Sequence, residues 1–248
     1  MTLALETRNL SKSFGSFVAT NDVSLKVAQG ARHALIGPNG AGKTTLINLL
    51  TGILTPNSGQ ILLGTEDITS MSAHRRVRKG LSRTFQINQL FGDFTPLESV
   101  MLAISEREGH GRYGWQPVSA DKELADQAAA LLERFRLADV MGSATTLLPY
   151  GKQRLLEIAL AIATEPKVLL LDEPAAGVPE EERHEVLQLV RDLPADVTIV
   201  LIEHDMDLVF SFADRITVLA AGAIFAEGTV AEISGDPKDK SIYLGEDA

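Results

Sequence analysis

The stretch Gly37-Pro38-Asn39-Gly40-Ala41-Gly42-Lys43-Thr44-Thr45 constrains this chain more than any other, because it stands between an apolar strand, Ala34-Leu35-Ile36, and an apolar helix, Leu46-Ile47-Asn48-Leu49-Leu50. A glycine-rich loop in that setting matches in full the pattern that closes backbone N–H groups around phosphate oxygens. The positive end of the following helix is aimed at the same anion. Lys43 is placed to reach β- and γ-phosphates, and the Thr44 hydroxyl to meet a Mg²⁺ ion. An ordinary glycine-rich turn lacks this strand-to-helix context.

A chain of 248 residues accommodates one large domain, or a domain with a sub-domain. With no cysteine, disulfides and thiol chemistry are excluded, and a reducing compartment is the natural expectation. The longest apolar runs, such as Val197–Ile202 and Val168–Leu171, fall far below the ~20 residues that cross a bilayer, so they read as buried parallel strands. Glu6, Arg8 and Lys12 interrupt the start of the chain where a secretory signal would need an apolar core, and any membrane role is expected to come through a partner. A formal charge of −10 gives no overall pull toward nucleic acid, and none is expected as a ligand. The basic cluster Arg75, Arg76, Arg78, Lys79 and Arg83 reads as a solvated helix face rather than a binding patch.

From Ala4 to Val27 the pattern alternates, with Val23, Leu25 and Val27 on one face, which predicts a small antiparallel layer beside the main sheet. Phe14 lies in this layer before the turn at Gly15, where its ring could stack on a base or simply fill the core. Pro56-Asn57-Ser58-Gly59 makes a turn, and Gln60–Gly64 a further strand. After Ser82–Gln86 the texture becomes helical. Thr95-Pro96-Leu97-Glu98 carries a capping residue, a proline at the first helical position and a glutamate at the third. Residues 109–117 are glycine-rich and predict a loop, and Leu124, Ala128, Leu131, Leu132 and Phe135 recur at helical spacing.

Gly151 precedes a periodic helix that Glu165-Pro166 ends, and the strand Val168–Leu171 then delivers Asp172 and Glu173 at its carboxyl end. Ligands of open α/β sheets bind at that edge, so Asp172 is expected to organise a Mg²⁺ shell and Glu173 to orient or polarise the attacking water. A helix from about Glu180 to Leu193 leads into the strand Val197–Ile202, followed by His204 in the same strand-end setting, within reach of a γ-phosphate. His33, His74, His110 and His184 have no such setting and read as ordinary. The tail alternates from Arg215, turns at Gly222 and is expected to close in short helical pieces near Tyr243-Leu244-Gly245.

The order of phosphate-binding loop, Gln86, Gly151 before a helix, Asp172-Glu173 and His204 resembles the ATP-binding subunits of ABC transporters over almost the whole chain. The resemblance implies an α/β P-loop NTPase core, a mainly parallel sheet with helices on both faces, plus the N-terminal antiparallel β layer and a helical sub-domain. It places the core and β layer in residues 1–86 and 151–248, and the helical sub-domain in 87–150, leading to the signature motif. It implies ATP and Mg²⁺ as ligands, Gln86 as the glutamine that senses Mg²⁺ and γ-phosphate, and Phe14 as the adenine-stacking aromatic. Tyr150 and Gly151 then belong to the signature motif that meets the nucleotide of a second cassette.

Within the family, Ser82-Arg83-Thr84-Phe85-Gln86, Leu148-Pro149-Tyr150-Gly151, Asp172-Glu173-Pro174-Ala175-Ala176-Gly177 and Tyr243-Leu244-Gly245-Glu246 look like the importers of branched-chain and other hydrophobic amino acids. This implies an ATPase at the cytoplasmic face of the inner (cell) membrane, dimerising head to tail with an identical or sister cassette. It would drive transmembrane permease subunits and, through them, a solute-binding protein. The segment from Phe85 to Phe94 is where such a cassette meets its permease; Phe91 and Phe94 could be exposed for that contact or simply buried in the core.

Two motifs depart from the family pattern, the signature and the loop after the glutamate. Pro149 stands where the signature usually has serine and Lys152 where it has glutamine, so phosphate contacts are lost and a charge is added. Pro179 stands where the loop after the glutamate commonly carries Asp. A soluble ABC ATPase outside transport is the rival reading, although the long coiled coil, fused second cassette or basic arms of such proteins are not visible here. A nucleotide-binding switch without turnover is the third, and only the two prolines encourage it.

Overall fold

The computed structural model describes residues 2–84, 90–109 and 121–235. By contacts the chain forms two compact units, one made of residues up to Arg83, Lys167–Glu173 and residues from Arg191 on, the other of Thr84–Pro166 and Pro174–Val190.

The first unit holds two sheets. An antiparallel layer joins β1 (Leu3–Phe14), β2 (Phe17–Val23), β3 (Lys26–Ala28), β5 (Ser58–Leu63) and β6 (Glu66–Asp67), with β1 pairing β2, β3 and β5. Val23, Leu25 and Val27 are buried, as their alternation predicts. The second sheet runs in the order β11 (Ala223–Thr229), β10 (Arg215–Ala220), β4 (Arg32–Ile36), β9 (Thr198–Ile202), β8 (Val168–Asp172), β7 (Leu81–Arg83). All neighbours in it are parallel except β10 and β11. Every residue of β4, β8 and β9 is buried, which is why Ala34–Ile36, Val168–Leu171 and Ile199–Ile202 read as continuous apolar runs rather than alternating ones.

Helix α1 (Lys43–Thr51) lies in the core of this unit, sending Leu46, Ile47, Leu49 and Leu50 into a cluster with residues of both sheets, among them Leu5, Val27, Leu35, Ile61 and Leu170. Nine residues are too few for a stable isolated helix, so tertiary burial must hold it. At 1.5–3 kcal/mol for each buried aliphatic side chain, those four contribute about 6–12 kcal/mol before entropy is subtracted.

The carboxyl end of α1 has no basic residue of its own in the last turn. Arg76, on α2 (Ala73–Arg78), supplies one from a distance. Its Nη1 donates to the carbonyls of Leu49 and Leu50 at 2.6 Å each, its Nη2 to Thr69 at 2.8 Å and its Nε to Met71 at 3.0 Å. The residue is 1 % exposed, and burial draws its pKa below the usual arginine value. The basic cluster is therefore not a uniformly solvated face, since Arg76 closes off α1 and Arg83 is also drawn inside. Arg32 plays a similar part, donating to the carbonyls of Val197 and Leu193 at 2.7 Å each. Helix α7 (Met206–Phe212), capped by the Asp205 carboxylate, packs against β4.

The second unit is helical. Helix α3 (Pro96–Glu108) begins with the capping box expected at Thr95 and Glu98 and ends at Gly109; the rest of the expected loop at 109–117 lies outside the described residues. Helix α4 (Lys122–Arg134) is capped by Asp121, and α3, α4 and α5 (Tyr150–Ala163) pack on one another. Arg107 joins the ends of α3 and α5 by donating to the Ala163 carbonyl and pairing with Glu165. Residues 151–166 and 174–190, the latter carrying most of α6 (Glu180–Arg191), thus cluster with the helical unit, whereas the sequence-based division after residue 150 puts them with the core. Helix α5, whose Leu155, Leu156, Ile158 and Ala159 are buried, packs with α3 and α4, which accounts for its place in this unit. The closing segment around Tyr243 lies outside the described residues.

Candidate nucleotide site

The phosphate-binding loop follows β4 and is held from beneath by close backbone approach. A Cβ at Gly37 would sit 2.2 Å from the Leu219 carbonyl oxygen, and one at Gly42 2.4 Å from that of Ala19, with φ +146° and +100° at the two positions. Neither tolerates a side chain, because the neighbour is backbone and the dihedral favours glycine. The Gly222 N–H donates to the Ala41 carbonyl at 3.0 Å and the Ala41 N–H to that of Pro38 at 3.2 Å, which fixes the loop's curvature. Asn39, Gly40 and Thr44 are exposed, while Pro38, Lys43 and Thr45 are half-buried. A Cβ at Gly40 would meet nothing within 4 Å, so this side of the loop is open.

Helix α1 starts at Gly42 without a side-chain cap and without an acidic residue in its first turn. Its first N–H groups and the positive end of its dipole are therefore not neutralised by a local carboxylate. The Lys43 ammonium folds back on the loop, donating to the carbonyls of Gly37 at 2.5 Å and Pro38 at 3.0 Å. Burial lowers its pKa, while the Glu173 and Asp172 carboxylates act in the opposite direction.

Three adjacent parallel strands end together. Leu35 on β4 and Asp172 on β8 are both in register with Ile202 on β9, so the loop after Ile36, the acids Asp172 and Glu173, and Glu203-His204 emerge at one sheet edge. Asp172 is 3 % exposed and paired with Arg83 at 2.6 Å. Glu173 is a non-glycine residue at φ +48°, its N–H donating to the Ile202 carbonyl at 2.9 Å, so the carboxylate is presented from a strained backbone position. His204 Nδ1 lies 3.9 Å from both Glu173 Oε1 and Glu203 Oε2, and the His204 ring is mostly exposed. The structure thus brings together the loop, Lys43, Thr44, Asp172, Glu173 and His204.

Phe14, Tyr150 and Gly151 belong to other elements. Phe14 ends β1 beside the hairpin to β2, 49 % exposed, with the Lys12 ammonium 5.4 Å from its ring centroid; the exposure excludes the core alternative. Tyr150 and Gly151 open α5 in the helical unit, after Pro149, which makes no side-chain cap. A Cβ at Gly151 would fall 2.5 Å from the Glu182 carboxylate, and the Tyr150 ring lies 5.4 Å from the Arg154 guanidinium carbon. Lys152 is paired with Asp139. Gln86 lies outside the described residues. The sequence reading misses the pairing of Arg83 with Asp172; the available signal is an arginine near the end of a strand-like segment, read instead as part of a basic cluster.

Residues 20–176 match the ABC transporter family. The chain belongs to that family. It is an ABC transporter ATP-binding subunit, related to the branched-chain amino acid transport ATP-binding proteins BraF of Pseudomonas aeruginosa (40 % identical, 98 % of each chain) and LivG of Escherichia coli K12 (39 %, 98 % of each). Among solved structures, the ADP conformation of MJ1267, an ATP-binding cassette of an ABC transporter, superposes with a TM-score of 0.86 at 33 % identity over 99 % of both chains. As an ABC cassette the chain has the P-loop NTPase fold with N-terminal antiparallel strands and a helical sub-domain, and its family membership supports ATP binding and hydrolysis.

The donors of this cassette suit Mg²⁺ held chiefly by phosphate. Among the described residues no group of three or more His, Cys, Asp or Glu side chains could cage a metal, while Thr44 and Asp172 offer a hydroxyl and one carboxylate. Mg²⁺ keeps several waters and leans on substrate phosphates with one or two carboxylates. No helix among the described residues is long and apolar enough to cross a membrane.

Proposed function

We propose that this cassette hydrolyses ATP as half of a head-to-tail dimer and drives the import of branched-chain or other hydrophobic amino acids. The observation that carries the hydrolytic part is the shared strand edge of β4, β8 and β9, where the loop, two acids and a histidine converge. The loop N–H groups and Lys43 bind the β- and γ-phosphates, and in doing so the ammonium exchanges its two loop carbonyls for phosphate oxygens. Thr44 and, through the water shell, Asp172 would hold Mg²⁺, which would supply positive charge against the phosphates. Glu173 orients and polarises the attacking water, and His204 contacts the γ-phosphate from the neighbouring strand end. Phe14 stacks on the adenine, and Gln86 links the Mg²⁺ and γ-phosphate to the permease.

Tyr150 and Gly151, at the uncapped start of α5, meet the ATP of the second cassette, identical or sister. The transport part is supported by the near-complete coverage of BraF and LivG. In this reading the cassette sits on the cytoplasmic face of the cell membrane beneath permease subunits fed by a solute-binding protein, and the exposed Phe91 and Phe94 receive the permease.

Two measurements test the proposal. Phosphate release by the purified chain should fall about 10²–10⁴-fold in Glu173→Gln while ATP is retained, and wild-type turnover in that variant would remove Glu173 from the role. Uptake of labelled leucine should be lost in cells carrying Lys43→Ala and restored by the wild-type chain; uptake unaffected by Lys43→Ala would refute the transport role.

A further inference from the structure

Arg83 closes β7, and its side chain is 9 % exposed. Its Nη2 donates to Asp172 Oδ2 at 2.6 Å and its Nη1 to Asn48 Oδ1 at 2.7 Å. Asn48 stands on α1, the helix that begins with Lys43 and Thr44, and Asp172 closes β8. One planar guanidinium therefore ties the phosphate helix to the carboxylate strand. A buried ion pair is a poor device for stability alone, since apolar residues of similar volume often serve as well or better. Here the anion is the one carboxylate that the nucleotide reading assigns to the metal. A carboxylate has lone pairs on both oxygens, so a contact to Oδ2 leaves Oδ1 for a water of the metal shell.

We propose that Arg83 is a positioning residue for Asp172, clamping one carboxylate oxygen so that the other is held for the Mg²⁺ water shell, with Asn48 aligning the guanidinium to α1. This rests on the reading of Asp172 as the metal-facing acid. The arrangement has the logic of an outer-shell partner, which orients a ligand and supports its charge without touching the metal. Arginine suits the task because its rigid fork serves two acceptors at once; lysine would supply the charge without the fork.

The test is equilibrium binding of trinitrophenyl-ATP to the purified chain, in EDTA and across a Mg²⁺ titration at fixed nucleotide. If the wild-type chain shows no Mg²⁺-dependent change, the nucleotide reading itself fails, whatever the variants do. Given that change, Arg83→Met should leave the affinity in EDTA within about twofold, because the loop and Lys43 are intact, and raise the Mg²⁺ needed for half-maximal effect about 10- to 100-fold. Arg83→Lys should fall between the two. Asn48→Ala keeps the buried pair and releases only the alignment, so it should raise the Mg²⁺ requirement in the same sense, and it carries the test if Arg83→Met does not fold. An unchanged Mg²⁺ requirement in the folded variants, or an equal loss of binding with and without Mg²⁺, would show a merely structural role and overturn the proposal.

Discussion

Replacing His33 by asparagine is expected to flatten the acid limb of the stability curve. His33 stands on β4, fully buried, with Nε2 2.7 Å from the Thr217 hydroxyl on β10. Burial, helped by the nearby Arg215 charge, pushes its pKa from 6.5 to about 4. The imidazole is therefore neutral in the folded protein at neutral pH. Below pH 6.5 the unfolded chain takes up the proton first, so stability present above that pH is lost as pH falls toward 4, and the loss levels off below 4. At 1.36 kcal/mol per pH unit the full gap is worth about 3.4 kcal/mol, of which ~0.8 has gone by pH 6 and ~2 by pH 5.

The asparagine of the His33→Asn variant cannot ionise, so this chain starts lower at pH 7.5 by about 1–3 kcal/mol for lost packing and the Thr217 bond, and then lacks this decline. Urea unfolding of both chains at pH 7.5, 6 and 5, at constant ionic strength, isolates the histidine because the carboxylates titrate alike in the two proteins. The wild-type advantage should shrink by about 2 kcal/mol between pH 7.5 and 5. An advantage that stays constant over that range would refute the assignment of His33 as a buried neutral group, and with it the account of how β4 is packed beneath the loop.

Arg76→Ala should cost about 3–5 kcal/mol in the same assay, because it strands the α1 carbonyls of Leu49 and Leu50, and a loss under 1 kcal/mol would contradict the capping role. Glu173→Gly should abolish turnover yet raise the stability of the nucleotide-free chain by about 1 kcal/mol, since it relieves a left-handed backbone; a destabilised variant would argue against stored strain. Gly42→Val should reduce trinitrophenyl-ATP affinity at least about tenfold by driving the loop off the Ala19 carbonyl, and unchanged binding would show that the loop yields freely. Pro149→Ser should strengthen ATP-dependent dimerisation, read by analytical ultracentrifugation, and an unaltered association constant would show that Pro149 does not weaken the signature half-site.

Features that depend on short-range pattern are legible in the sequence. The strand-loop-helix around Lys43 and the cap at Thr95 are written in consecutive residues, and Val168–Leu171 before Asp172 and Ile199–Ile202 before Glu203-His204 are apolar because the strands are buried on both sides. What stays hidden depends on long-range contact. Arg76 reaches the α1 carbonyls 26 and 27 residues back, and Arg83 reaches Asp172 across 89 residues, so nothing in their neighbourhoods separates them from solvated Arg75 or Arg78. Likewise, the apolar stripe of α5 shows that it buries a face without showing that α3 and α4 pack with it. Phe14 is ambiguous for a related reason, since an aromatic at a hairpin end has the same local sequence whether it is covered or left half exposed.

The most direct test of the nucleotide site is equilibrium binding of ATP to the purified chain with Mg²⁺, compared with Lys43→Ala. Saturable binding of one nucleotide per chain, weakened at least about a hundredfold in the variant, is the predicted result. Equal binding by both chains, or none by either, would contradict the claim that the strand ends of β4, β8 and β9 grip a triphosphate.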